Sequence, residues 1–548
     1  MLVFLLLALL PSVFSLFHSG FYGASDDMHV AWLYEMDRAI GSGQIPPRVV
    51  PDLSYRFGYP LFNFVFPLPF YLGEIFHTVG FNFVDSIKIV FGLSLILSGF
   101  AMYLLLSEFL PLVFSFAGAL LYVFTPYRST DVYVRGALGE SLSFVFIPLI
   151  IYALIRLFKK EEYSLKNISL YALSLAGLIL THNIVSYMFF PFVVVLTVLL
   201  YLISNKRKVF LLSGLWANLL GLIVSGYFWF PAIVESKLMK YDAVFNFVDH
   251  FPTIKQLITP YFGYGASVPG PGDGMSFFMG VANIVIILTG FVVAFLFRKK
   301  FSRLEKVIFG WCALILAVSF FMMNFRSSFL WANLPLLPYF QFPWRFLTLV
   351  TFVSPLFILP LKYLPKIGKY VAFGMAVLSV VLNVNYFKPH DFLERKDNYF
   401  LERYIPKEES LVKYREIMEE YLRLPKGTEK RPDRLFPELY STVDFTFEKV
   451  SHKGMVDNYQ VIMLENGELN VSKYYYPGFY AKVDGQKATI IIGKPYGQIA
   501  LKLDKGIYNL EIGYRETNFR LFFDLLSLAG FTFAVLCLFK GHGRKNKN

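Results

Sequence analysis

The sequence predicts a polytopic α-helical membrane protein of about twelve transmembrane helices with a C-terminal extracytoplasmic β-rich domain. Three observations predict it. Hydrophobic residues make up 56% of the 548 and the mean hydropathy is +0.51, values outside the range of soluble proteins. The lysines and arginines behind the formal net charge of +13 fall in short runs between apolar segments, where they orient a chain in a membrane rather than form one nucleic-acid-binding patch. Past Tyr386 the apolar runs give way to charged and alternating stretches. A soluble enzyme and a nucleic-acid partner are both excluded.

Taken in order, residues 1–17 lack a basic leader and a small-residue cleavage site, so they are expected to form an uncleaved first helix. A polar, Pro-interrupted stretch follows, with a helix expected over 27–40. Residues 62–80 carry Pro67, Pro69, Glu74 and His77, which suits a short interfacial segment better than a span. Eleven further spans are expected near 84–106, 112–124, 141–155, 169–181, 184–203, 209–230, 277–297, 307–323, 346–361, 370–386 and 521–539.

The basic runs 156–160, 206–208, 298–306, 362–369 and 544–547 then all fall on one side, the cytoplasmic one by the positive-inside rule. Asp26 and Asp27 fall on the other. If 62–80 crossed the membrane, the parity would reverse. The domain expectation is a transmembrane domain over 1–386 with an extracytoplasmic loop at 18–83, an extracytoplasmic domain over 387–519 that is helical and then β-sandwich-like, and a last span with a basic cytoplasmic tail over 520–548. Strand signals include 488–492 and 498–503, punctuated by Gly485, Gly493, Gly497 and Gly506. The two cysteines, Cys312 and Cys537, both lie in apolar runs and give no disulfide or thiolate-metal pattern.

The chemistry-bearing residues collect outside. Ser25-Asp26-Asp27-Met28-His29 opens the first outer loop, Arg48 and Arg56 follow, and Tyr127-Arg128-Ser-Thr-Asp131-Val-Tyr133-Val-Arg135 to Glu140 forms a second loop. His182-Asn183 marks a short turn, residues 235–275 a longer loop with Asp242 and Asp249-His250, and 324–345 a last one ending Gln341-Phe-Pro-Trp344-Arg345. Two adjacent carboxylates and an imidazole where a chain leaves a membrane are costly unless they bind or catalyse something. A helix N-cap accounts for one of the aspartates but not for both.

The outward acidic pair after the first helix resembles the GT-C superfamily of integral membrane glycosyltransferases. Gly58-Tyr-Pro60, Pro67-Leu-Pro-Phe-Tyr71, Tyr133-Val-Arg135-Gly136-Ala137 and Phe342-Pro-Trp344-Arg345 are similar to the membrane family labelled pyruvoyl-tetrahydropterin-synthase-related. The ending Tyr476-Pro-Gly-Phe-Tyr-Ala-Lys-Val-Asp484-Gly485, followed by a span, resembles YfhO-type membrane proteins. The eight histidines show no spacing that would build a pterin enzyme's zinc site. The resemblance implies a GT-C-like fold and sugar transfer from a polyprenyl-phosphate donor to a glycan, lipid or protein acceptor at the outer face of the cell membrane.

That chemistry needs a base for the acceptor hydroxyl and a group that stabilises the departing lipid phosphate. The resemblance gives the first role, or that of metal ligand, to Asp26 or Asp27, with Asp27 preferred. A hard divalent cation such as Mg or Mn fits the carboxylate pair without being demanded by it. Arginine suits the second role because a guanidinium grips phosphate in two places and stays charged: Arg135 and Arg345 first, Arg128 and Arg56 after them. Interfacial snorkelling is the competing explanation for each arginine. Glu140 is expected to pair with Arg135. His29 and His182 are candidate substrate contacts, His182 equally a polar hairpin tip, and the 242–250 loop is expected to be solvated. Outer tyrosines and tryptophans fit an interfacial belt as well as sugar stacking. Two other classes share these features: a non-catalytic assembly protein, and a lipid-linked glycan transporter or flippase.

Overall fold

Backbone amides have no water to bond inside a bilayer, so the long apolar runs close their hydrogen bonds within helices. The computed structural model describes residues 1–240, 246–364, 366–408 and 423–540; Asp242 and the 544–547 run lie outside them. Among the described residues, eight segments are long and apolar enough to cross a membrane: Phe83–Ser107, Leu138–Lys160, Asn183–Ile203, Arg207–Val224, Arg303–Met323, Pro343–Tyr363, Gly368–Tyr386 and Asn518–Phe539. Four shorter apolar ones, Leu2–Ser12, Leu112–Val123, Leu165–Thr181 and Val281–Phe297, take the remaining expected positions. Residues 62–80 do not form a span. Their helix, Leu68–Thr78, is 11 residues long, and its two prolines lie at its start, where a missing N–H costs nothing.

Prolines inside the bundle do local work. Pro148 cannot bond the Phe144 carbonyl, which instead accepts from Tyr122 Oη at 2.8 Å. Pro231 likewise frees the Tyr227 carbonyl, which accepts from Arg48 Nη1 at 2.8 Å. The expected span 209–230 is two helices, Arg207–Val224 and Gly226–Glu235, broken at Ser225, whose hydroxyl bonds back to the Gly221 carbonyl at 2.9 Å. The expected helix 346–361 tightens from an α-helix, Leu347–Val353, into a 3₁₀ segment, Ser354–Tyr363, carrying Pro355 and Pro360.

A larger correction concerns 126–140, expected to be an outer loop. Pro126–Ser129 forms one α turn that widens into a π turn over Thr130–Arg135, and every residue from 126 to 140 is buried. The turn ends at Gly136, with φ +69°. A β-carbon there would lie 2.9 Å from that of Ala24 and 3.1 Å from the Asp26 carbonyl oxygen, so only glycine lets the Asp26 strand lie against this turn.

The connections at one end of the bundle hold the basic runs: Arg156 and Lys159 pair with Glu108, Asn205 bonds Glu161, and Lys362 bonds the Phe109 carbonyl and Glu305. The Asp26 loop and the β region sit at the other end, joined by Tyr474 N–H donating to the Phe57 carbonyl at 2.8 Å. The β region has two sheets, β1-β4-β8-β7 and β2-β3-β9-β5-β6, with β1 Leu439–Ser441, β2 Phe445–Lys453, β3 Val456–Met463, β4 Gly467–Tyr474, β5 Phe479–Val483, β6 Gln486–Ala488, β7 Ile491–Ile492, β8 Gln498–Leu503 and β9 Gly506–Tyr514. They share one apolar core that includes Val461, Leu469, Ile499, Leu501 and Ile512. The expected single strand over 488–492 is split, because the chain crosses there from one sheet to the other. A charged network fastens the β region to the bundle. Arg48 bonds Glu516 at 3.2 Å and Asp524 at 2.6 Å, and Arg520 bonds both oxygens of Glu235 at 2.9 and 2.8 Å.

Candidate functional site

Residues 23–29 leave the first helix and run against the π turn, with Ser25 N–H donating to the Val134 carbonyl at 3.1 Å and Asp26 N–H to the Arg135 carbonyl at 2.7 Å. The two aspartates that follow take different partners. Asp27 is buried, accepts from Tyr404 Oη and sits 3.6 Å from Arg395 Nη1. Asp26 is partly exposed and lies in the field of Arg135, Arg345 and Glu140. Burial pushes its carboxyl above the usual carboxylate value, against the pull of Arg135 and Arg345 and helped by Glu140.

Glu140 is the hub of the cluster facing Asp26. It is fully buried and accepts from Tyr127 Oη at 2.7 Å, Thr348 Oγ1 at 2.7 Å and Arg135 Nη1 at 2.8 Å; Arg345 Nε is 3.4 Å away. Arg135 Nη1 also donates to Asp131 at 2.6 Å, and its guanidinium lies 4.7 Å from the Trp344 ring centre. Arg345 Nη1 bonds the Phe340 carbonyl at 2.8 Å and Gln341 at 3.1 Å. Among the described residues the Nη2 atoms of both arginines have no hydrogen-bond partner, yet neither is sealed away from solvent. Two guanidiniums are thus fixed on a shared carboxylate with donors left over, an arrangement that can grip an anion.

The other sequence candidates fall in three places. His182 borders the cluster: it caps the helix Asn183–Ile203 by accepting from Val185 N–H at 3.2 Å and stacks on Phe66. Arg128 lies apart. Its guanidinium bonds the Ser141 and Ser94 carbonyls at 3.2 Å and Ser98 at 3.1 Å and stacks 4.0 Å from the Phe144 ring centre, so its donors tie two spans together. Arg56 is exposed in a turn whose residues Ser54, Tyr55 and Arg56 all have positive φ, beside the β region rather than beside Glu140. Phe247–His250 forms a short 3₁₀ turn; Asp242 lies outside the described residues.

His29 is buried against Trp32 and Phe70, and neither ring nitrogen makes a hydrogen bond of normal geometry. Burial lowers its pKa from 6.5 to about 4, with the Asp27 charge opposing. The unfolded chain therefore binds a proton near pH 6.5 that the folded chain refuses until about pH 4, and stability is lost as pH falls through that window. Denaturation of the detergent-solubilised protein at pH 7 and pH 4.5 is expected to show this loss, and His29→Gln to remove most of it. An unchanged pH slope in the variant would assign the loss to other groups.

As to a metal, Asp26 and Asp27 are committed to different neighbours, and among the described residues no group of three or more His, Cys, Asp or Glu side chains could hold an ion. Arg135 and Arg345 bring positive charge to the neighbourhood of Asp26. Sequence reasoning missed Thr348, Arg395 and Tyr404. Each meets the site only through the fold.

Residues 62–388 match the model of the 6-pyruvoyl-tetrahydropterin synthase related domain, described as a membrane protein. The chain belongs to this family. The stretch assigned to the pyruvoyl-tetrahydropterin-synthase-related family carries Arg135, Glu140, His182 and Arg345, whereas Asp26 and Asp27 precede it. Over 197 residues the chain is 25% identical to an uncharacterized protein of Lactococcus lactis subsp. cremoris (strain MG1363), covering 35% of this chain and 31% of that protein; the match spans less than a third of that relative's length. Two solved structures align at 13% identity. One is the arabinofuranosyltransferase AftD from mycobacteria (TM-score 0.41, 70% of this chain and 26% of that one). The other is the Archaeoglobus fulgidus oligosaccharyltransferase tethered to an acceptor peptide (TM-score 0.42, 79% and 59%). Scores at this level leave the functional reading to the residues themselves.

Proposed function

We propose that this family member is a membrane glycosyltransferase that moves a sugar from a polyprenyl-phosphate donor to an acceptor hydroxyl at the extracytoplasmic face. The observation that carries the reading is the placement of the Asp26 carboxylate across from Arg135 and Arg345, which share Glu140 and keep donors free. In the reaction, Asp26 takes the proton of the acceptor O–H and the oxygen forms a bond to the anomeric carbon. The bond from that carbon to the phosphate oxygen breaks, its electron pair stays on the lipid phosphate, and the two guanidiniums stabilise the charge left there. Glu140 holds both arginines in register, and Asp27 fixes the strand through Tyr404 and Arg395.

The supporting experiment is sugar transfer by purified protein in proteoliposomes with a panel of polyprenyl-phosphate sugars; absence of turnover with every donor would favour a non-catalytic assembly role. Because Asp26 must be deprotonated to act, the rate is expected to fall as pH drops, with an acid limb above the ordinary carboxylate value. Arg345 lowers the Asp26 pKa, so Arg345→Gln should move the limb to higher pH on top of its loss of rate. A limb that stays put would separate Asp26 from the observed ionisation.

A further inference from the structure

On the solvent side of the Asp26 strand lies an open cavity of about 750 Å³, within the size range of small-molecule sites. Its walls include Ser25, Tyr261, Tyr264, His390, Asp391 and Arg395. Three observations define what it can take. Its charges are already matched: Arg395 faces Asp27 at 3.6 Å, and His390 Nδ1 meets Asp391 at 2.7 Å on the surface, so no cation stands unmatched for an anion. The phenols present aromatic surface with polar edges, Tyr261 being half exposed and Tyr264 meeting His390 edge-on at 5.2 Å. The wall is also continuous with the arginine cluster, because Ser267, two residues beyond Gly265, accepts from Trp344 Nε1 at 3.2 Å, and Trp344 carries the Arg135 guanidinium.

Paired charges, hydroxyl groups and tyrosine rings, without an unmatched cation, suit a neutral molecule rich in hydroxyls whose C–H faces pack on aromatic rings. We propose that this cavity binds a neutral carbohydrate acceptor and delivers one of its hydroxyls to Asp26. This rests on the transferase reading above for its role, though not for its binding chemistry.

The test is labelling of Ser25→Cys by a membrane-impermeant maleimide in the full chain carrying Cys537→Ser, since Cys312 is buried. Probes are neutral hexose and N-acetylhexosamine tetrasaccharides, inorganic phosphate and a short apolar peptide. The expected result is saturable, several-fold slowing by at least one tetrasaccharide and none by phosphate or peptide, with protection lost in both Tyr264→Ala and His390→Ala. Protection by phosphate or peptide alone, by no probe, or by a tetrasaccharide equally in both variants would overturn the proposal. Labelling needs no turnover, so the two readings fail separately. Protection without sugar transfer leaves the carbohydrate site and removes the transferase; transfer without protection removes this site alone.

Discussion

Asp26→Asn is expected to abolish sugar transfer, a loss of about 10²–10⁴-fold, the range set by removing a positioned base. The side chain keeps its size, and the structural hydrogen bond at this position runs from the Asp26 backbone N–H to the Arg135 carbonyl, so folding should survive. Asp27→Asn is the control. Asp27 accepts from Tyr404 and neighbours Arg395, and its loss is expected to cost about 1–3 kcal/mol of stability while transfer persists. The comparison is made on proteoliposomes matched for folded protein. Equal loss in both variants would mean that the pair acts as one unit; loss confined to Asp27→Asn would assign the base to the other carboxylate.

Glu140→Gln is expected to be the most destabilising single change at the site. Glu140 is the carboxylate that Arg135 and Arg345 share, and it accepts from Tyr127 and Thr348 as well. An amide of the same shape keeps at most part of this bonding and none of the charge. Two close guanidiniums would then be held with Asp131 as their nearest remaining buried counter-charge. Breaking a buried pair of this kind costs about 3–5 kcal/mol, read as a lower unfolding temperature in detergent. Replacing both Glu140 and Arg345, as Gln and Met, should recover part of the loss because it removes one of the uncompensated charges. Additive losses in the double variant would contradict the shared-hub arrangement.

The spans were legible because lipid leaves an apolar run of that length a single way to satisfy its backbone, and the parity argument followed from where the lysines and arginines fall. The 126–140 stretch was misleading for the opposite reason. Tyr127, Arg128, Asp131, Arg135 and Glu140 look like a solvated loop to any hydropathy measure, yet each is buried and bonded to another member of the stretch or to a neighbouring span. Charges that cancel in three dimensions leave no trace in a one-dimensional average. The same holds for Arg48, whose partner Glu516 is 468 residues away, and for Arg128, whose role depends on the Ser94 and Ser98 face of another helix. Pairing of Arg135 with Glu140 was readable because they lie only five positions apart. The separate surroundings of Asp26 and Asp27 were not, since they depend on Arg395 and Tyr404 arriving from beyond the Gly368–Tyr386 span.

The most direct measurement is a cryo-EM structure of the protein in lipid nanodiscs with a polyprenyl monophosphate bound. The account predicts the phosphate within hydrogen-bonding distance of the free Nη2 atoms of Arg135 and Arg345, on the Asp26 side of Glu140. A phosphate bound elsewhere, with both arginines still turned onto Glu140 and Asp26 facing empty solvent, would contradict it.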